Sequence, residues 1–310
     1  MHFAFLFPGQ GSQYQGMGVN FLKEFPYVKK FFLEASEILH FDIVDLCLNG
    51  PNDKLNLTAN AQPSILTISY CAFQIIQKEA GIKPFLMAGH SLGEISALCC
   101  SGAISFTDAL KIVRKRGELM QAAVSEGNGA MIALNGLPVD EVRRLCNSEL
   151  SGGKAVISNI NSKDQIVISG EKGSVNAVSD KAKELGAVSI PLKVSAPFHS
   201  PLMKPASIGL EAELNNYTFS RLKYPVISNV TCKPYLDENE IIPLLTEQVT
   251  TAVNWLKIME YIGKTSVNVT LELPPKKILT GLFQNQNSAI NNYTFDQLEE
   301  ITNLFNAEIL

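Results

Sequence analysis

The sequence predicts an α/β protein built from a larger hydrolase-like α/β domain, with a parallel sheet and a nucleophile elbow, and a smaller inserted ferredoxin-like domain. Three observations predict this architecture. Short apolar runs such as Phe3–Phe7 are typical of buried parallel strands. The pentapeptide "GHSLG" at Gly89–Gly93 lies between an apolar run and a helical pattern, which is the setting of an elbow. A β-α-β-β-α-β pattern fills residues 127–195. We therefore assign residues 1–126 and 196–310 to the large domain and residues 127–195 to the inserted domain.

The first half of the large domain alternates strands and helices. Helical spacing of isoleucines predicts a helix over Pro63–Ala80, with Pro63 in its first turn and Gly81 just past its end. The other predicted elements here are strand Phe3–Phe7, an apolar strand within Lys83–Ala88, and helices Leu92–Cys100 and Thr107–Val124. A helix therefore leads into the strand that precedes the elbow, so the elbow belongs to an α/β unit.

The inserted domain and the remainder of the chain follow from the same patterns. In the insert we predict strands Ala130–Leu134, Ala155–Ile160, Gln165–Ser169 and Val188–Val194, with helices Pro138–Leu145 and Val175–Leu185. Beyond the insert we predict strands Val226–Val230 and Val267–Leu273, and an amphipathic, mostly polar tail over the last twenty residues. Because ligand sites favour clefts between domains, we expect the functional site between the insert and the large domain.

Composition excludes several classes of function. The net charge of −4 argues against nucleic acid as a partner, because phosphate neutralisation needs concentrated Lys and Arg. No segment approaches the roughly 20 apolar residues that span a bilayer, so we expect no membrane partner. The six cysteines show no C-x-x-C spacing, which favours reduced thiols in a cytoplasmic protein and no metal site.

The loop "PGQGSQ" after the first strand contains two glycines, which raises the question of phosphate binding. The dinucleotide fingerprint would need glycine where Tyr14 stands, and a P-loop would need lysine where Met17 stands. On motif evidence alone, the loop is interpreted as a simple turn.

Ser91 is either a nucleophile or an ordinary serine in a glycine-rich turn. The strand-turn-helix context favours a nucleophile, which needs a base within hydrogen-bond reach. Among the histidines, His2 is terminal, His40 follows a helix, and His90 points away from its neighbour, so His199 in "SAPFHSPLM" is the candidate base. No aspartate or glutamate between the serine and this histidine is persuasive as a third member, and a backbone carbonyl could orient the imidazole instead.

Arg116 falls in the middle of the apolar face of helix Thr107–Val124. A buried guanidinium needs a partner, because an unpaired buried charge is costly. Two alternatives stay open at this point. Arg116 forms an internal salt bridge to a carboxylate such as Glu94 or Glu272, or it grips a ligand carboxylate in bidentate fashion.

Four ordered motifs, "FPGQGSQ", "GHSLGE", "RGELMQ" and "APFHSPLM", closely resemble the malonyl-CoA:acyl carrier protein transacylases of bacterial type II fatty-acid synthesis. The resemblance covers essentially the whole chain. It implies a ping-pong transfer of malonyl from malonyl-CoA to the phosphopantetheine thiol of holo acyl carrier protein. The coenzyme A thioester is then a substrate, and no bound cofactor is implied.

The resemblance also implies a role for individual residues. Ser91 and His199 are the nucleophile and the base, and Arg116 pairs with the malonyl carboxylate. The backbone N–H groups of Gln10 and Leu92 form the oxyanion hole. Two further assignments complete the set: the backbone carbonyl of Gln248 orients the histidine, and Phe198 matches the bulky residue of malonyl-selective relatives.

One departure from the family pattern concerns the segment Leu273–Lys276, where "LPPK" replaces a glycine-proline-glycine turn before "KILTGL". Two prolines stiffen the turn and remove N–H donors, which bears on the shape of the loop. Docking of an acidic carrier protein would need a local basic patch, for which the candidates are Lys181, Lys183, Lys276 and Lys277.

Two other functions fit parts of this pattern. A serine hydrolase such as a thioesterase would use the same elbow, would admit water to the acyl-enzyme and would not need Arg116. A non-catalytic acyl-binding protein would tolerate the loss of Ser91 or His199, and both residues are present in their motifs.

Overall fold

The computed structural model describes residues 1–125, 127–148, 152, 154–284 and 289–309, which form two β-sheets. The strands are β1 (Phe3–Phe7), β2 (Pro84–Gly89), β3 (Gly129–Asn135), β4 (Ala155–Ile160), β5 (Gln165–Glu171), β6 (Val188–Pro191), β7 (Val226–Ile227), β8 (Val269–Glu272) and β9 (Asn291–Thr294).

Helices surround the larger sheet and cover one face of the smaller one. They are α1 (Val19–Glu24), α2 (Lys29–Leu39), α3 (Ile43–Asn49), α4 (Asn52–Asn56), α5 (Thr58–Ile75), α6 (Leu92–Cys100), α7 (Phe106–Ala122), α8 (Val139–Cys146), α9 (Lys172–Glu184), α10 (Lys204–Leu214), α11 (Ile241–Gln248), α12 (Trp255–Gly263), α13 (Leu279–Gln284) and α14 (Leu298–Ile309). Short 3₁₀ turns precede α2, α10, α11 and α14, and a π-helical segment, Ile76–Ala80, extends α5.

The larger sheet is parallel throughout, in the order β7-β2-β1-β8-β9. Its central strand β1 is buried along its whole length, as expected of a parallel strand with both faces covered. The parallel α/β prediction is therefore confirmed. The predicted polar tail folds as β9 and α14, because its apolar side chains, among them Ile301, join the core of the large domain.

The smaller sheet is antiparallel, in the order β4-β5-β3-β6, and confirms the ferredoxin-like prediction. Helices α8 and α9 pack on the face that carries Ile132 and Ile168, while Met131 and Val167 on the other face join the core of the large domain. All four strands lie between residues 129 and 191, inside the predicted insert, and the domain boundaries at 126/127 and 195/196 stay a prediction.

Several element boundaries differ from the predictions, among them the start of α5 and the ends of β7 and β6. Helix α5 begins at Thr58, so Pro63 lies inside it rather than in its first turn. Proline cannot donate to the Ala59 carbonyl, which instead accepts from Arg114 Nη1 at 3.2 Å. Strand β7 is only two residues long, because Ser228 and Asn229 leave the sheet to make other hydrogen bonds. Strand β6 ends at Pro191, three residues earlier than predicted.

The elbow depends on close contact between backbone segments. A Cβ atom added to Gly93 would lie 2.0 Å from the Phe7 carbonyl oxygen, and one added to Gly89 would lie 1.9 Å from the Gly93 carbonyl carbon. Only glycine permits this approach, so the ends of β1 and β2 and the start of α6 meet without side chains between them.

We expect Gly93→Ala to lower the free energy of unfolding by about 3 kcal/mol or more, because the new methyl group overlaps backbone that cannot move aside. The matched control is Gly173→Ala in α9, where an added Cβ meets nothing within 4 Å. Its stability should stay unchanged or rise by up to about 1 kcal/mol. Chemical denaturation of both variants measures the difference, and equal stabilities would contradict the packing argument.

Candidate active site

Ser91 stands at the turn between β2 and α6 in a strained conformation, with φ of 54° and ψ of −104°. Its N–H donates to Asn229 Oδ1 at 2.8 Å, and Asn229 Nδ2 donates to the Gly89 carbonyl at 2.7 Å. The side chain of Asn229 therefore ties both sides of the elbow to the end of β7. Sequence analysis missed Asn229, for which the only signal was a polar residue near the end of a predicted strand.

His199 lies on the segment that leaves the small sheet, and its ring is placed between Ser91 and Gln248. Its Nε2 is 2.8 Å from Ser91 Oγ, and its Nδ1 is 2.9 Å from the Gln248 carbonyl oxygen. Because a carbonyl only accepts, the proton is on Nδ1, and Nε2 is left to accept the serine hydroxyl proton. The histidine is thus oriented by a backbone carbonyl, without a carboxylate.

The imidazole of His199 is held in its neutral form. The side chain is only 4% exposed, and this burial, followed by the positive charge of Arg116, lowers its pKa to about 3. A neutral ring is the form that accepts a proton from serine, so the site is set for base catalysis at neutral pH.

Arg116 on α7 is buried at 2% exposure and faces the same serine. Its Nη2 lies 3.1 Å from Ser91 Oγ and 2.8 Å from Gln248 Oε1, and its Nη1 donates to Gln62 Oε1 at 2.9 Å. Burial lowers its pKa only to about 10, so the guanidinium stays charged. Sequence analysis missed Gln62, which lies one residue before the predicted helix Pro63–Ala80 and becomes part of α5 only because that helix begins at Thr58.

The salt-bridge alternative for Arg116 is wrong. Among the described residues, no acidic side chain lies within 4.0 Å of its guanidinium. Glu272 is engaged elsewhere, where it accepts from the N–H groups of Ile278, Leu279 and Thr280 at the start of α13. A buried cation surrounded by neutral oxygen atoms beside a nucleophile is suited to binding an anionic group of a ligand.

The segments of Gln10 and Leu92 meet at the elbow. The added Cβ of Gly9 would lie 2.4 Å from the His90 carbonyl oxygen, and Gln10 Nε2 donates to Thr58 Oγ1 at 3.1 Å. Within the part of the chain that the structure describes, the backbone N–H groups of Gln10 and Leu92 donate to no protein acceptor. They are thus candidates for binding a negative oxygen, and this role stays a prediction.

Other predicted residues lie away from these contacts. Phe198 is 7% exposed within the core of the large domain, and its specificity role stays a prediction. His90 turns away from Ser91, as expected, and its Nε2 lies 3.1 Å from Asn161 Oδ1 on the small domain.

The lysine candidates for docking differ in their surroundings. Lys181 and Lys183 pair with Glu184 and Asp180 at 2.6 and 2.9 Å, which lowers the net charge of that surface. The Nζ atom of Lys276 lies over the ring of Tyr14, 5.8 Å from the ring centroid.

The "LPPK" turn is held by protein contacts. Ser69 Oγ donates to the Pro274 carbonyl at 2.8 Å, so α5 supports the turn where the family pattern has a glycine-proline-glycine sequence.

Over the described ranges, no three His, Cys, Asp or Glu side chains are grouped so that they could hold a metal ion. In the same residues, no helix combines the length and apolar character needed to cross a bilayer.

Comparison with known proteins agrees with this geometry. A family model described as the acyl transferase domain matches residues 4–284. The malonyl CoA-acyl carrier protein transacylase of Bacillus subtilis is 41% identical over 299 residues, which cover 96% of this chain and 75% of the relative. The chain belongs to the malonyl CoA-acyl carrier protein transacylase family. As a member, it is an acyltransferase.

Solved structures of relatives share the whole fold. The acyl-carrier-protein-S-malonyltransferase of Bartonella henselae superposes with a TM-score of 0.94 at 38% identity, and the match covers 98% of this chain and 99% of that one. A malonyl-transacylase in complex with a holo type II polyketide synthase acyl carrier protein gives the same TM-score at 38% identity, covering 97% and 99%.

The neutral state of His199 predicts a pH effect on stability. Between pH 6.5 and about 3, the unfolded ring binds a proton that the folded ring does not, so the free energy of unfolding falls as the pH is lowered through this window. His199→Asn lacks this loss. Denaturation at pH 7 and pH 5 should therefore show a larger loss for the wild type than for the variant, and parallel losses would contradict the assignment.

Proposed function

We propose that the protein transfers a malonyl group from malonyl-CoA to the phosphopantetheine thiol of acyl carrier protein, through a malonyl ester on Ser91. The observation that carries this proposal is the Arg116 guanidinium, which is buried 3.1 Å from the Ser91 hydroxyl and has no acidic partner among the described residues. A cation at this distance suits an acyl group with its own carboxylate a few bonds from the thioester carbonyl, as malonyl has.

In the first half-reaction, Ser91 Oγ attacks the thioester carbonyl while its proton passes to His199 Nε2, 2.8 Å away. The carbonyl oxygen becomes negative and receives hydrogen bonds from the backbone N–H groups of Gln10 and Leu92. The carbon–sulfur bond then breaks, and His199 returns the proton to the coenzyme A thiolate. The malonyl carboxylate stays on Arg116.

In the second half-reaction, the phosphopantetheine thiol of the carrier protein gives its proton to His199 and attacks the malonyl ester. The bond to Ser91 Oγ breaks, and the serine recovers the proton from the histidine. The solved complex of a related transacylase with its carrier protein supports this partner. The reaction uses no bound cofactor, because the coenzyme A thioester is itself a substrate.

The product would be an elongation unit for fatty-acid synthesis. We further propose that the enzyme works in the cytoplasm. This is supported by Cys47, Cys71, Cys99, Cys100 and Cys232, which are buried thiols without a disulfide.

Ser91→Ala should abolish the malonyl adduct that forms when malonyl-CoA alone is mixed with the protein, because no other hydroxyl contacts His199 Nε2 among the described residues. The matched control is Ser96→Ala, which removes a buried hydroxyl from the same helix. Intact-mass analysis, repeated after carrier protein is added, measures both half-reactions. An adduct that persists on the Ser91 variant would place the nucleophile elsewhere, and loss of the adduct to water alone would identify a thioesterase.

Arg116→Ala should lower malonyl transfer and relieve the penalty against acetyl-CoA, whose acyl group leaves the buried cation unpaired. A site built around such a pairing rejects the analogue that lacks it by about 10⁴-fold. The ratio of the specificity constants for malonyl-CoA and acetyl-CoA should therefore collapse. Arg116→Lys should be intermediate, because an ammonium keeps the charge and loses the planar fork. A folded alanine variant with an unchanged ratio would overturn the role of Arg116.

A further inference from the structure

Glu94 is a buried acidic residue that the proposed reaction does not use. It lies on α6 three residues after Ser91 and is 0% exposed. Its Oε1 accepts from the Tyr235 hydroxyl at 2.5 Å, and its Oε2 accepts from Gln248 Nε2 at 2.5 Å and from the Asn229 N–H at 3.1 Å. These groups are presented by the segment after β7 and by the end of α11.

The contacts of Glu94 favour an ionised carboxylate. A protonated carboxyl group would need an acceptor, yet the Asn229 N–H and the Gln248 NH₂ can only donate. All three partners donate to the carboxyl oxygens, an arrangement that suits the ionised form, and the carboxylate determines which end of the Gln248 amide faces it. A reversed amide would direct its oxygen at an anion and at the Ser91 carbonyl, to which Nε2 now donates at 3.1 Å.

Gln248 connects Glu94 to Arg116 and to His199. With Nε2 directed at Glu94, Oε1 is directed at Arg116 and accepts from Nη2 at 2.8 Å. The backbone carbonyl of the same residue holds His199. One glutamine thus connects the buried anion to both the cation and the base.

The separation between the Glu94 carboxylate and the Arg116 guanidinium affects the binding of an acidic ligand. Glu94 does not pair directly with Arg116, since one amide group separates them. The anion offsets the buried positive charge electrostatically, and it leaves the guanidinium without a carboxylate of its own. A direct ion pair would have occupied the fork that an acidic ligand needs.

We infer that Glu94 is a positioning residue for acid-bearing acyl groups: its carboxylate orients the Gln248 amide, which in turn holds the Arg116 guanidinium in place beside Ser91. This inference rests on the proposed function for its substrate, malonyl-CoA, and on the contacts above for its mechanism.

Protonation of Glu94 should weaken its control of the Gln248 amide and therefore the placement of Arg116. A proton on Oε1 can be donated to the Tyr235 hydroxyl, whereas a proton on Oε2 would need the Gln248 oxygen as its acceptor. In both cases the neutral carboxyl group accepts more weakly from Gln248 Nε2 than the carboxylate does, so the amide is held less firmly in the orientation that directs its oxygen at Arg116. Burial raises the pKa of Glu94 to about 7, and hydrogen bonds from Tyr235 and Gln248 oppose that shift. The other titratable or charged groups facing it are Tyr235, Cys232 and Arg116, and Arg116 in turn faces His199, whose pKa is about 3. Among these groups, Glu94 is the one whose pKa lies between pH 5.5 and 8.

The experiment measures the specificity constants for acylation by malonyl-CoA and by acetyl-CoA between pH 5.5 and 8. The ratio of the two constants is then compared across the range, because pH effects on Ser91 and His199 are common to both substrates and cancel in the ratio. In the wild type, this ratio should fall about tenfold towards pH 5.5, the factor that corresponds to one charge-assisted hydrogen bond. In Glu94→Gln, the ratio should stay at the low value over the whole range. Tyr235→Phe removes a donor from the carboxylate, so its ratio should fall at a higher pH than in the wild type.

The control is Glu272→Gln, which neutralises another buried carboxylate. Among the described residues, its hydrogen-bond partners are Ile278, Leu279 and Thr280, at and just before the start of α13. It should keep the wild-type profile. A wild-type profile in Glu94→Gln would overturn the inference, as would an unchanged midpoint in Tyr235→Phe if the Glu94 variant fails to fold.

A substrate-free measurement separates this inference from the proposed function. The side-chain amide ¹⁵N resonance of Gln248 should shift with a midpoint near pH 7 in the wild type and should not shift in Glu94→Gln. If the wild type forms no malonyl adduct, the proposed function fails and the resonance still tests Glu94. A resonance that does not change with pH in the wild type would overturn the positioning role.

Discussion

The site is arranged around one constraint: the Arg116 guanidinium is buried to 2% exposure and has no acidic partner in the part of the chain that the structure describes. Removing a charge from water is costly, and the fold offsets that cost with oriented neutral oxygen atoms and an anion one amide away. Gln62 on α5, Gln248 on α11 and Ser91 at the elbow all direct oxygen atoms at Arg116. Because Arg116 on α7 and these three groups come from four different parts of the chain, the cation also acts as a cross-link between segments that are distant in sequence.

The parallel sheet explains why these elements converge. The carboxyl ends of parallel strands meet at one edge, and ligand sites in open α/β sheets form there. The loop after β1 supplies Gln10, the loop after β2 supplies Ser91, and the segment after β7 supplies Asn229. Glycines at the elbow let the backbones approach more closely than any side chain allows. The segment that follows β6 of the small sheet supplies His199. The edge strand β4 donates to the Val253 carbonyl of the large domain from the Ile160 N–H and accepts from the Val253 N–H at the Ser158 carbonyl, both at 2.9 Å.

The electrostatics of the site keep the base His199 neutral although the positive charge of Arg116 is close by. Burial and the neighbouring Arg116 keep the His199 ring neutral, so a proton acceptor and a cation coexist beside the same hydroxyl group. Two cationic neighbours would repel each other, whereas a neutral imidazole and a guanidinium do not. A carboxylate beside the histidine would have paired with Arg116 instead, which is a physical reason for orienting the ring with the Gln248 carbonyl. The anion that the site does contain, Glu94, lies behind that glutamine.

The sequence by itself determined the two-sheet architecture, because hydrophobic period and turn residues are local properties of the chain. It also singled out Ser91 by its glycine neighbours, His199 by elimination and Arg116 by its place on an apolar face. It could not decide whether Arg116 pairs with an internal carboxylate, because helical spacing shows burial and not the identity of the neighbour. Only the tertiary structure decided that question and revealed Gln62 and Asn229, since contacts across 54 and 138 residues depend on how strands and helices pack.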